Sequence, residues 1–196
     1  FVAILAKLGN PLVPVQILMI NLVTDGLPAL ALGMDPSEEG IMDIPPRDTK
    51  EGILSKSIAI RMFIVGMAIV VATLWPYVTL LKSGAPLEVA RTSAFAVLGF
   101  SELLRALSSR SERHPIWHAK PKENPQLLAA VAVSALLLLI SIEVPWFAQI
   151  FDAVPLGAAE WRMVAIASFS PMVIAEVMKL VGMASSTRRR EALEIR

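Results

Sequence analysis

Cysteine is absent from the 196 residues, which excludes disulfides and thiolate-bound metal centres. Charge is scarce as well: Asp, Glu, Lys and Arg make up 18% of the chain and nearly cancel, leaving a net charge of +1. No basic face interleaved with aromatics is present, so no nucleic-acid partner is expected. No signal peptide opens the chain, because the run Phe1-Val2-Ala3-Ile4-Leu5-Ala6 has neither a basic leader nor a small-residue cleavage site. Internal repeats and low-complexity tracts are missing too, so a symmetric-repeat transporter finds no support.

What the chain has in abundance is apolar. Hydrophobic residues reach 55% and the mean hydropathy is +0.63. Those values exclude a disordered chain, argue against an ordinary soluble domain and fit a polytopic membrane protein. Five segments are apolar enough to cross a bilayer at about 20 residues each, at about 13–33, 57–81, 92–109, 126–147 and 161–182. The third is the weakest, because it contains Glu102 and Arg105. The run at residues 1–6 is too short to span and reads as the tail of an earlier helix in a longer polypeptide. The expected fold is therefore all-α: a polytopic membrane helix bundle of five transmembrane helices plus the end of a preceding one.

Lysine and arginine placement sets the orientation. One side collects Arg47, Lys50, Lys56, Arg61, Arg105, Arg110, Arg113, Lys120, Lys122, Lys179, Arg188, Arg189, Arg190 and Arg196, whereas the other holds Lys7, Lys82, Arg91 and Arg162. The loops at 34–56 and 110–125 and the C-terminus are then cytoplasmic, and the first and third spans run from outside to inside. Trp75, Trp146 and Trp161 lie near predicted span ends, as interfacial anchors do.

The chemistry sits inside the spans. Asp25 lies in an otherwise apolar run, where a charged side chain costs at least about 2.5–3.5 kcal/mol. Asn21 and Thr24 precede it by four and three residues, which puts the three side-chain oxygens on one helix face. Gly26 and Pro28 follow and loosen the helix just past the carboxylate, freeing backbone carbonyls. Glu102 lies roughly ten residues into its own span, at the same depth of about 15 Å. Two carboxylates at matching depth beside an amide and a hydroxyl fit one hard cation. Calcium suits such a set better than magnesium, which tends to retain its waters.

Structural readings compete with each of these. Asp25 could cap a broken helix end, Asn21 and Thr24 could bond neighbouring helices, and Glu102 could pair with Arg105 three residues on. Glu176 and Lys179 repeat that spacing near a cytoplasmic helix end and read as a structural pair. Glu143 lies at the outer boundary and reads as hydrated. His114 and His118 have metal-ligand spacing, but Pro115 separates them in a Pro-rich loop, which reads as solvated. Arg188-Arg189-Arg190 could touch anionic lipid, although anchoring on the positive side explains it sufficiently.

Pro14-Val15-Gln16-Ile17-Leu18 leading into Asn21-Leu22-Val23-Thr24-Asp25-Gly26-Leu27-Pro28-Ala29 resembles the sixth transmembrane helix of calcium-transporting P-type ATPases. Ile41-Met42-Asp43-Ile44-Pro45-Pro46-Arg47 is similar to the loop that follows it, and Phe100-Ser101-Glu102-Leu103-Leu104-Arg105-Ala106-Leu107 resembles the eighth helix. The likeness runs from the end of helix five through helix ten. It implies that Asn21, Thr24, Asp25 and Glu102 are calcium ligands. The pairing of Asn21 with Thr24 looks like the sarco/endoplasmic-reticulum type and its bacterial relatives. The short connection at 82–91 suggests a prokaryotic plasma membrane and no beta-type subunit.

The resemblance also implies what this stretch does not supply. The family's phosphorylated aspartate, its nucleotide-binding domain and the ligands of its fourth and fifth helices do not occur among these residues. ATP and magnesium would be bound elsewhere in the pump, and these residues alone would not hydrolyse ATP. The function implied is the membrane part of an ATP-driven cation pump, with calcium moved in one direction and protons in the other. Its partners would be the lipid bilayer, the remaining pump helices and the phosphorylation domain. The alternative is a non-enzymatic membrane module, either a cation channel subunit or a truncated pump remnant acting as a scaffold.

Overall fold

The computed structural model describes residues 2–35, 56–110, 116 and 124–194, with the backbone alone at 56–57 and 182–194. All regular structure among the described residues is helical. The expected loops at 34–56 and 110–125 fall mostly outside the described residues, as do His114 and His118.

A short helix, α1 (Val2–Leu5), opens the described chain. It ends as helix C-termini commonly do: Lys7 takes φ 55°, Leu8 N–H donates to Ala3 C=O at 2.9 Å and Lys7 N–H to Ile4 C=O at 3.0 Å. That pair of bonds satisfies carbonyls that would otherwise be orphaned. The first span follows as α2 (Pro14–Met19), a π-helical segment (Ile20–Gly26) and α3 (Leu27–Leu32). The second is α4 (Lys56–Lys82), closed by Gly84 at φ 81° with the same two-bond cap.

Helix α5 (Leu87–Ser108) begins five residues before the expected 92, because Pro86 sets its N-cap and Glu88 sits in its first turn. Helix α6 (Pro125–Glu143) starts at the Asn124 cap, whose side chain accepts from Leu127 N–H at 2.8 Å. It stops at 143 rather than the expected 147. Val144 precedes a proline and is held extended at φ −89°, ψ 112°, so the chain restarts as α7 (Pro145–Ile150). The last helix, α8 (Ala158–Glu194), spans at Ala158–Val181 and continues past it.

Among the described residues, four helical stretches are long and apolar enough to cross a membrane: Pro14–Leu32, Ile58–Lys82, Pro125–Glu143 and Ala158–Val181. Helix α5 is as long, about 33 Å at 1.5 Å per residue, but carries Glu88, Arg91, Glu102 and Arg105. Glu88 and Arg105 are exposed and Arg91 and Glu102 partly buried, while most of the rest of the helix is enclosed. It packs against α3, α4, α6, α8 and the π segment, and Ala90, Ala94, Phe95, Ala96 and Val97 are fully buried. The outward surface of the bundle is apolar, with Leu22, Leu30, Phe63 and Val181 well exposed, while Thr92, Ser93, Ser101, Ser134 and Ser168 lie inside. A bundle with hydroxyls inside and large apolar side chains outside is suited to hydrocarbon rather than water.

Gly99 lies where α5 packs tightly against Leu138 of α6. A Cβ there would lie 2.6 Å from a Leu138 methyl, and Leu138 is itself fully buried. Gly99→Val is expected to destabilise the bundle by about 1–3 kcal/mol through overpacking. Adding Leu138→Ala should recover part of that loss. Thermal unfolding in detergent checks both, and strictly additive losses would contradict the contact.

Candidate intramembrane cation site

The seven residues Ile20-Asn21-Leu22-Val23-Thr24-Asp25-Gly26 form the π-helical segment. A π-helix pairs each carbonyl with the N–H five residues on, and such turns frequently mark functional sites. The expectation of a helix loosened past Asp25 needs correcting. Backbone angles are helical at Met19, Gly26 and Leu27, so the span is widened around the carboxylate, from Ile20 through Gly26, rather than broken behind it. Pro28 gives the reason. In an α-helix its ring would press on the carbonyl four residues back, that of Thr24. The wider π turn before it relieves that contact, and Pro28 then falls in the first turn of α3, where proline is tolerated.

Asn21 and Asp25 lie together on the exposed side of this segment. Thr24 does not join them: it is 1% exposed, and its hydroxyl donates to Ile20 C=O at 2.7 Å. Its oxygen keeps lone pairs free to accept, but it sits on the packed side. Neighbouring Leu22 is 69% exposed, so the open face of the first span is apolar except for an amide and a carboxylate. Hydrocarbon against Asp25 would carry the cost of a charge in lipid.

Glu102 sits on α5 with its side chain 20% exposed and accepts from Arg105 Nε at 3.3 Å. The local pair weighed from sequence is therefore formed. Asp25 lies seven residues before the end of α3 and Glu102 six before the end of α5, each about 10 Å from its helix end. Those ends are held level by one junction. Asp35 accepts from Arg110 Nε at 3.2 Å and from Arg110 Nη2 at 3.0 Å. The Asn124 amide donates to Asp35 at 3.0 Å and to Ala31 C=O at 2.9 Å. The C-terminal ends of α3 and α5 and the N-terminal end of α6 are thus joined by a largely buried ion pair and the α6 cap. Among the described residues no group of three His, Cys, Asp or Glu could hold a metal ion.

The remaining polar candidates have structural partners. Lys179 Nζ donates to Glu176 Oε1 at 2.7 Å and to Ser108 C=O at 2.6 Å, Ser108 Oγ donates to Glu176, and Ile116 N–H donates to Glu176 Oε2 at 2.9 Å. Glu143, expected to be hydrated, is exposed and also accepts from Trp161 Nε1 at 2.8 Å and from Leu156 N–H at 3.2 Å, which ties α6 to the start of α8. The Arg188-Arg189-Arg190 side chains lie outside the described residues.

An all-α membrane helix bundle with an oxygen-bearing π segment open to one side defines the class of this protein. Comparison narrows it. The family model for the cation transporting ATPase C-terminus matches residues 9–181. The chain is 39% identical over 163 residues to a calcium-transporting ATPase of Bacillus subtilis (strain 168), which covers 83% of this chain and 18% of that protein. It is 32% identical over 195 residues to calcium-transporting ATPase 1 of Bacillus cereus, covering 92% and 22%. Calcium-transporting ATPase 2, endoplasmic reticulum-type, of Arabidopsis thaliana is 30% identical over 249 residues, covering 96% and 24%. The chain belongs to the cation-transporting ATPase C-terminal family, the membrane part of P-type cation pumps, and it spans about a fifth of the length of these relatives.

The junction of α3, α5 and α6 yields a prediction. Asp35→Ala removes the carboxylate from a largely buried Arg110 and one acceptor from Asn124, and is expected to cost about 3 kcal/mol. Asp35→Glu should cost less. Thermal unfolding of the two variants checks this, and equal losses would contradict it.

Proposed function

We propose that this chain supplies one wall of the transport site of an ATP-driven calcium pump, with Asn21, Thr24 and Asp25 of the first span and Glu102 of α5 as ligands. The observation that carries the reading is the exposed Asn21–Asp25 pair at mid-span on an otherwise apolar face. In a membrane that face needs a polar cover, and further pump helices carrying oxygen ligands provide one. Calcium takes 6–8 oxygens in flexible geometry. Two carboxylates, an amide and a hydroxyl from this chain leave the rest to those helices. The π turn adds to the set, since widening a helix weakens the hold on its own carbonyls and lets them turn toward an ion.

Each ligand has a distinct part. Asp25 neutralises the cation most directly, and Asn21 adds a neutral oxygen from the same face. Thr24 lies on the packed side and contributes hydroxyl lone pairs only where the site reaches into the bundle, since its proton is already committed to Ile20. Glu102 is held by Arg105 and has to leave that partner, or share it, to bind the ion. That exchange makes the Glu102–Arg105 pair a natural two-position element in the transport cycle. ATP and magnesium belong to other domains of the pump. Phosphorylation there would rearrange the helices, lower calcium affinity and release the ion on the far side, with protons neutralising the vacated carboxylates. By the positive-inside rule, the α3, α5 and C-terminal ends face the cytoplasm. A prokaryotic plasma membrane and the absence of a beta-type subunit fit the short outer turn between α4 and α5.

In the pump that carries this segment, Asp25→Asn is expected to raise the calcium concentration for half-maximal phosphorylation by ATP about tenfold or more. Unchanged calcium dependence would remove Asp25 from the site. In sealed vesicles, ATP-driven calcium uptake should alkalinise the lumen; uptake without proton movement would remove countertransport from the proposal.

A further inference from the structure

The π register sets the Val23 carbonyl opposite a residue that has no N–H. In that register the partner of Val23 C=O is the N–H five residues on, and that residue is Pro28, which has none. The missing donor comes from another helix: Ser134 of α6 gives its hydroxyl proton to Val23 C=O at 2.6 Å. Ser134 is fully buried and Val23 is 9% exposed, so water has no ready access to replace it. Serines in helices usually turn back on their own chain, as Ser141 does toward Leu138 C=O at 2.7 Å and Ser170 toward Ala167 C=O at 2.8 Å. Ser134 instead reaches across the α6 interface.

Val23 lies between Asn21 and Asp25, so whatever fixes its carbonyl fixes the turn that aims both side chains. We propose that Ser134 is a positioning residue for the cation site: it stabilises the π register of Ile20–Gly26 and thereby the aim of Asn21 and Asp25, without touching the ion. The alternative register shows why the bond matters. In an α-helix the carbonyl facing Pro28 is that of Thr24, so a change from π to α moves the orphan by one residue, away from Ser134. The serine therefore favours one register over the other. Rotating the segment between registers changes the separation of Asn21 and Asp25 and hence the affinity for a cation. The inference rests on the reading of this segment as the cation site.

The test uses the intact pump and an isosteric pair, Ser134→Thr and Ser134→Val, which share a shape and differ by the hydroxyl. Calcium-dependent phosphorylation by ATP and thermal midpoint without calcium are measured for both. Ser134→Val is expected to need about three- to tenfold more calcium than Ser134→Thr, in line with one interhelical hydrogen bond in a membrane protein. Introducing Pro28→Ala restores an N–H to Val23, and the difference between the two variants should then fall by at least about half. Equal calcium affinities for the Thr and Val variants would overturn the proposal, as would a lower midpoint for Val with no change in affinity. Asp25→Asn separates the two levels. If it leaves calcium affinity unchanged, the site reading itself fails; if it weakens calcium binding while Thr and Val match, only the positioning role fails.

Discussion

A hydrocarbon layer offers no hydrogen bonds, so each backbone group inside it must find a partner within the protein. Pro28 removes one donor from the middle of the first span, and the local architecture follows from that single loss. The helix ahead of it opens into a π segment, the deprived carbonyl is met by Ser134 from α6, and the Thr24 hydroxyl turns back onto Ile20. The same irregularity that has to be satisfied on the packed side leaves Asn21 and Asp25 on the open side. Proline, π turn and carboxylate are one device, with its backbone tied to the bundle and its charge presented away from it.

The bundle is arranged to hold that device at a set depth. Helix α5 runs through the middle, packed against α3, α4, α6, α8 and the π segment, with small buried residues on its inward faces. Close packing of this kind replaces the hydrophobic drive that is lost between helices in lipid. At one end, Asp35, Arg110 and Asn124 join α3, α5 and α6. At the other, Gln16 donates to Asp152 C=O, Arg91 to Asn10 C=O and Tyr77 to Leu8 C=O. The first span is thus fastened at both ends and irregular between them, which suits a segment that changes its grip on an ion without moving bodily.

Hydropathy made the helical class legible, because transmembrane length is imposed by the bilayer rather than by tertiary contacts. The errors fall at punctuation. Pro145 ends α6 at Glu143, four residues before the expected limit, and Pro86 starts α5 five residues early. Asp25 stood out as a charge among apolar residues, and Gly26 and Pro28 signalled an irregular helix. Whether the irregularity lay around or after the carboxylate depended on how the orphaned carbonyl is satisfied, and that is a contact with a helix about a hundred residues away. Thr24 shows the same limit: spacing grouped it with Asn21 and Asp25, whereas packing drew it to the other side. Ser134 carried no signal of its own, being a small residue in a run of leucines and alanines. Only the knowledge that Val23 lacks a donor gives it meaning.

The central claim is that the Asn21–Asp25 face of the π segment is one wall of a cation site. Its most direct test is a structure of the intact pump with bound calcium, with the ion identified by anomalous scattering. The account predicts a cation about 2.3–2.6 Å from oxygens of Asp25 and Asn21, with helices outside this chain closing the opposite side. A cation bound elsewhere in the membrane, with Asp25 paired to a basic side chain and no ion in contact with it, would contradict the account.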